Sequence, residues 1–261
     1  MVRASDTAGG IFTVDGGTVA LLGAHAADRF PANAIVQINN GGTVEFTSVN
    51  AANFSANYLI GAGGTLTNAA GVDHAHVGSV QLSGGTWTTD PGAIAYNGEN
   101  WFLHGNVDVT GSVPSLITQQ GGTAANRGLA WMGNATFSVA DVTGNSTADL
   151  IVSTELENGD FGTASLIKTG DGTMRLSVTN SYTGATDVQA GTLDIDASQT
   201  LTSLNIAAGA RVVLGKSGPP SAPPAPALDE ALLGASAQPV PEPGALALLA
   251  ISALGFLRRR K

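Results

Sequence analysis

The sequence predicts an all-β chain wound as a parallel β-helix, followed by a proline-rich linker and a short apolar helix. Three observations carry this reading. A Gly-Gly-Thr phrase returns about every 20 residues, each return opens a run of alternating apolar and polar side chains, and the composition changes abruptly at Lys216. Self-similarity at this period marks a solenoid. Alternation at period 2, in runs rich in Val, Leu, Ile and Thr, marks strands rather than helices.

The body is assigned to residues 1–215. The phrase occurs as Gly16-Gly17-Thr18-Val19, Gly41-Gly42-Thr43-Val44-Glu45-Phe46, Gly63-Gly64-Thr65-Leu66 and Gly84-Gly85-Thr86-Trp87, with steps of 25, 22 and 21 residues. Later forms are Gly172-Thr173-Met174-Arg175-Leu176, Gly191-Thr192-Leu193-Asp194-Ile195 and a decayed Gly209-Ala210-Arg211-Val212-Val213-Leu214, at steps of 19 and 18. Glycine before each strand supplies the backbone freedom to turn a corner. A single coil cannot bury its own inward side chains, so Val44, Leu66, Leu176, Leu193 and Val213 are expected to stack as an inner ladder. Asn39, Asn40, Asn180 and Thr183 are expected to satisfy backbone groups at the corners. The competing architecture is a β-sandwich, which requires Asn-Gly or Asp-Gly hairpins every 8–12 residues or so. In strand context Asp15-Gly16, Asn97-Gly98, Asn158-Gly159 and Asp171-Gly172 are too widely spaced to meet that requirement.

Composition narrows the function. None of the 261 residues is Cys, which excludes a disulfide framework, a thiolate metal site and a cysteine nucleophile. Glycine, at 35 residues, is nearly twice its usual share. The net charge is −9, and residues 1–215 hold 17 acidic against 6 basic side chains. An acidic surface argues against nucleic acid and anionic lipid as partners.

The segment Lys168–Asp196 resembles the autotransporter-associated β-strand repeat. The residues that carry the resemblance are Lys168, Gly170, Gly172-Thr173-Met174-Arg175-Leu176, then Asn180-Ser181-Tyr182-Thr183-Gly184, then Thr186-Asp187-Val188-Gln189-Ala190-Gly191-Thr192-Leu193. Met174 stands where that family has Leu, a volume-conserving swap in an apolar slot. The resemblance implies a right-handed β-helical passenger displayed at a cell surface. It is looser over Gly41–Ser138.

Residues 216–239 read as a linker, with prolines at 219, 220, 223, 224, 226 and 239 among Ala and Ser. Such a composition favours an extended, partly polyproline spacer. Residues 240–261 have three parts: Pro241-Glu242-Pro243, the uncharged run Gly244–Leu257, and Arg258-Arg259-Arg260-Lys261. The two prolines hold the triplet extended. The apolar run, carried by Leu248, Leu249, Ile251, Leu254, Phe256 and Leu257, can form a helix that enters lipid. At 14 residues it is about 21 Å long, short of a hydrocarbon core of ~30 Å. The basic cluster resists translocation and would hold the C-terminus in the cytoplasm.

This three-part tail resembles the PEP-CTERM sorting signal of Gram-negative bacteria. The resemblance implies that a membrane-embedded exosortase is the processing partner, that Pro241, Glu242 and Pro243 are its recognition motif, and that Gly244–Leu257 is a transient inner-membrane anchor. Arg258, Arg259, Arg260 and Lys261 would then be the stop signal. Met1–Gly10 has neither the basic region nor the apolar stretch of a signal peptide, so the expectation is a truncated chain whose export signal lies upstream.

Side chains that could carry chemistry are sparse. His74 and His76 lie two apart beside Asp73, as in some strand-borne metal sites, while His25 and His104 read as isolated. Exposed polar residues at a corner are the plainer interpretation. Asp194 and Asp196 would share a strand face like the paired carboxylates of a glycosidase or lyase, with Lys168, Arg175 and Arg211 as the nearby cations. Solvated outward acids are the alternative. Trp87, Trp101 and Trp131, with Tyr96 and Phe102, could stack on sugars or pack the middle coils. Sequons at Asn53, Asn134 and Asn145 carry little weight in a bacterial context. No catalytic residue, cofactor or metal is expected. The expectation is a non-enzymatic exported surface protein with a polysaccharide or matrix partner. The other function considered is a secreted carbohydrate-active enzyme.

Overall fold

A computed structural model describes residues 10–22, 30, 32–48, 54–69, 71, 72, 74–89, 101–119, 128–159 and 162–215. The chain divides into two units, Met1–Gly218 and Pro219–Lys261. The linker and tail, the helix expected at Gly244–Leu257 and all of the sorting residues therefore lie outside the described residues.

The first unit is a parallel β-helix. One nine-stranded sheet contains β1 (Ile11–Asp15), β3 (Ile35–Asn39), β5 (Asn57–Gly61), β8 (Val80–Ser83), β11 (Val107–Val109), β14 (Gly133–Val139), β17 (Ala164–Thr169), β19 (Ala185–Val188) and β21 (Ser203–Ile206). A second nine-stranded sheet contains β2 (Thr18–Leu21), β4 (Thr43–Phe46), β6 (Thr65–Asn68), β9 (Thr86–Thr89), β12 (Ser115–Gln119), β15 (Leu150–Val152), β18 (Thr173–Leu176), β20 (Thr192–Ile195) and β22 (Arg211–Leu214). The middle coils add a third, four-stranded sheet of β7 (Ala75–Val77), β10 (Trp101–Leu103), β13 (Leu129–Trp131) and β16 (Leu156–Asn158). Neighbouring named strands in all three sheets run parallel, for example β3 with β5, β10 with β13 and β18 with β20.

Register builds the core. One inward column runs Val19, Val44, Leu66, Trp87, Ile117, Val152, Leu176, Ile195, Leu214. Its counterpart in the first sheet runs Phe12, Val36, Tyr58, Val80, Val107, Phe137, Lys168, Val188, Ile206. Except at Ile206 and Leu214, which are exposed, each column buries side chains that a single coil would leave wet, which is why stacking, not local propensity, holds the strands.

Two sequence expectations are corrected by the register. Arg211 pairs with Thr192, so the last step is 19 residues and not the 18 counted from Gly209. A one-residue slip exchanges the two faces of a strand. Val213 therefore sits in register with Asp194 on the outer face, while Val212 and Leu214 hold the inward positions. The coils also lengthen in the middle: Thr86 pairs with Leu116 and Ser115 with Leu150, steps of 30 and 35 residues. That added chain forms the third sheet.

The corners follow from backbone geometry. Asn40 adopts φ 49°, and its side-chain N–H donates to Asp15 Oδ1 at 2.6 Å. Gly170 and Gly191 have φ of 74° and 64°, with carbonyls of neighbouring corners pressed where a Cβ would lie. Both positions need glycine for conformation and for space.

Candidate functional site

The corner after β17 explains the lysine of the repeat. Lys168 faces inward between Phe137 and Val188 and is fully buried. Its Nζ donates to the carbonyl oxygens of Thr169 at 2.8 Å, Gly170 at 2.7 Å and Ala190 at 3.1 Å. An ammonium has three N–H donors, and all three are used. Burial pushes its pKa down to about 8, against the opposing pull of Asp149 and Asp171. Lys168 therefore staples two successive corners and is not the free cation that a sugar acid would need.

The remaining signature residues serve the same architecture. Asn180 Oδ1 accepts from the Leu156 N–H at 2.7 Å, and Asn158 donates to Thr183 Oγ1 at 3.0 Å. Tyr182 lies 5.9 Å from Trp131, centroid to centroid, and its hydroxyl hydrogen-bonds Thr186 at 2.6 Å. Asp149 is buried and accepts backbone N–H bonds from Val142, Thr143 and Thr173 at 2.7–2.9 Å.

Asp194 and Asp196 are brought together, but on a cation. Arg175 lies opposite Asp194 in register, and its Nε donates to Asp194 Oδ2 at 3.0 Å, with Asp196 Oδ2 at 3.6 Å. One guanidinium holds both carboxylates between neighbouring coils, a structural use of charge.

The indoles are core. Trp87, Trp101 and Trp131 are each no more than 1% exposed. Trp101 donates to the Thr88 carbonyl and Trp131 to the Ser165 carbonyl, at 3.2 and 3.1 Å. Phe46, Trp101 and Trp87 form an edge-to-face chain at 5.0 and 5.4 Å inside the widened coils. Phe102 is also buried, and Tyr96 lies outside the described residues.

The histidines gave the weakest sequence signal and converge most clearly. His104, which sequence spacing leaves isolated, reaches His76 across one coil, its Nε2 2.7 Å from His76 Nδ1, so one imidazole N–H donates to the other ring. Phe54 stacks on His104 at 5.0 Å and 13°, His74 lies 6.2 Å from His76, and Phe102 flanks both rings of the pair. Beside them a shallow cleft of about 90 Å³ is lined by Phe102, His104, Met132 and Asn134. Partial burial lowers the His104 pKa. Only the coil step of 28 residues could have revealed this pair, and that step is invisible where the Gly-Gly-Thr phrase is missing. Among the described residues no group of three or more His, Cys, Asp or Glu is placed to hold a metal ion. Among them, too, no helix is long and apolar enough to cross a membrane.

Two family models match the chain. Residues 166–195 match the passenger-associated-transport-repeat, the segment that Lys168, Asn180 and Tyr182 anchor. Residues 239–261 match the PEP-CTERM protein-sorting motif. Comparison with curated proteins and with solved structures yields no match. The sorting motif implies an exported protein processed by an exosortase. The chain thus contains a parallel β-helix that carries a passenger-associated-transport-repeat over β17–β20, and a PEP-CTERM protein-sorting motif at residues 239–261.

Proposed function

We propose that this protein is a non-enzymatic component of the cell surface or extracellular matrix, a stiff β-helical rod for adhesion or biofilm structure. Its tail is a temporary handle: Pro241-Glu242-Pro243 is read by the exosortase, Gly244–Leu257 holds the inner membrane until cleavage, and Arg258–Lys261 keeps the C-terminus cytoplasmic. The carrying observation is the pairing of the sorting motif with nine stacked rungs whose conspicuous polar side chains are spent on structure. Lys168 closes a corner, Arg175 binds Asp194 and Asp196, and the tryptophans fill the core. The short apolar run supports a removable segment rather than a permanent span.

Deleting Val240–Lys261 tests the sorting role. Cell fractionation should show the truncated protein lost from the surface and accumulating elsewhere. Unchanged surface display of the truncation would refute it. Turnover of any member of a polysaccharide panel, abolished by Asp194→Ala, would replace the rod reading with a carbohydrate-active enzyme.

A further inference from the structure

We infer that His76 and His104 bind a divalent transition-metal cation between them, on the outer face of the third sheet. His76 lies in β7, and His104 follows β10 on the next coil, where its backbone N–H donates to the Val77 carbonyl at 2.9 Å. That bond fixes the two residues on neighbouring coils and leaves His76 Nδ1 2.7 Å from His104 Nε2. Two nitrogen lone pairs repel unless a positive centre stands between them. One shared proton satisfies this, and so does a cation that takes a lone pair from each ring.

The surroundings select the cation. The chain has four histidines, and three of them, His74, His76 and His104, meet here. A shared proton accounts for two rings and not for the third. His74 takes φ 51°, a left-handed conformation that costs a residue with a side chain and that recurs at ligand sites, and its ring lies 6.2 Å from His76. Phe54 packs on both rings of the pair, at 4.2 and 5.0 Å, and Phe102 at 5.4 and 5.0 Å. The pair is therefore oriented before any ligand arrives, as a metal site requires. A tilt of the rings parts the nitrogens to about 3.3 Å, the separation that two bonds of about 2.0–2.1 Å set at a tetrahedral angle. Imidazole ligands without thiolate select Zn2+, Cu2+ or Ni2+ over Ca2+ and Mg2+, which take oxygen. His104 is exposed and lines the cleft of about 90 Å³, so the cation enters from solvent and its other positions fall to water or to His74. This site stands whether or not the tail is processed as proposed.

Calorimetric titration of the untagged full chain in detergent with Zn2+ alone tests it. One equivalent should bind, and His76→Ala and His104→Ala should each weaken binding at least about tenfold. Zn2+ should also raise the melting temperature of the parent and leave that of the double variant unchanged. If circular dichroism shows a variant misfolded, electron paramagnetic resonance of Cu2+ on the parent chain still decides, because it counts the imidazole nitrogens on the metal; two or more are expected. No Zn2+ binding, binding indifferent to both substitutions, or Cu2+ held by fewer than two imidazole nitrogens would each overturn the inference. The first outcome leaves a shared proton only, and the second places the ion elsewhere on the acidic surface.

Discussion

Replacing Lys168 with Met isolates the work done by its ammonium. The substitution keeps a flexible apolar stem of similar length in the inward column and deletes the three N–H donors. The carbonyls of Thr169, Gly170 and Ala190 then lose their shared partner. A hydrogen bond to a charged group contributes about 1.5–3 kcal/mol, and a buried acceptor left without a donor costs about 1–3 kcal/mol. Two terms oppose this loss. Desolvating the ammonium, which lowers its pKa to about 8, is no longer required. The three corner residues are also only half-buried, so water recovers part of the pairing. The balance is a destabilisation of about 2–4 kcal/mol. Urea unfolding followed by tryptophan fluorescence measures it, because Trp131 contacts Tyr182 in the same coils. A Lys168→Met variant as stable as the parent, or more stable, would show that the corner is held by packing alone.

Other expectations follow from the same structure. Lys168 titrates near 8 when folded and near 10.5 when unfolded, so between those values the unfolded chain holds a proton that the folded chain has lost. Stability should therefore rise with pH through that window relative to Lys168→Met, a comparison that cancels tyrosine ionisation; a falling or flat difference would refute the buried ammonium. Tyr58 is fully buried beside Phe30 and Phe46, and among the described residues its hydroxyl has no hydrogen-bond partner. Tyr58→Phe should leave stability unchanged or raise it by about 1 kcal/mol, and a clear loss in denaturant midpoint would reveal a partner for the hydroxyl. Arg175→Met strips both carboxylates of their shared cation and should cost about 2–3 kcal/mol, partly restored when Asp194→Asn is added. Strictly additive losses would argue against the triad.

The strands and the inner columns of the outer coils are legible because Gly-Gly-Thr fixes where each strand starts, and period 2 then fixes its faces. Val44, Leu66 and Leu176 fall in one column as read from the sequence, and Leu193 is buried in its neighbour. Val213 shows how fragile that inference is. The glycine nearest its strand is not the corner equivalent to Gly191, and one residue of slip turns the side chain outward. In the middle coils no phrase marks the register, so neither the third sheet nor the approach of His104 to His76 can be counted out. Lys168 is hidden for another reason. A lysine in a strand reads as solvent-facing, and only the three carbonyls of two corners, one of them 22 residues away, make an inward ammonium tolerable. The sorting tail needs no fold to be read, since Pro-Glu-Pro, apolar run and basic cluster lie in linear order.

The tail is proposed to be a handle removed on the way to the surface. Intact-mass and C-terminal peptide analysis of protein recovered from the cell surface tests it most directly. The expected chains stop near Pro241-Glu242-Pro243 and lack the Gly244–Leu257 run and the Arg258–Lys261 cluster. Surface protein that retains Lys261 would contradict it.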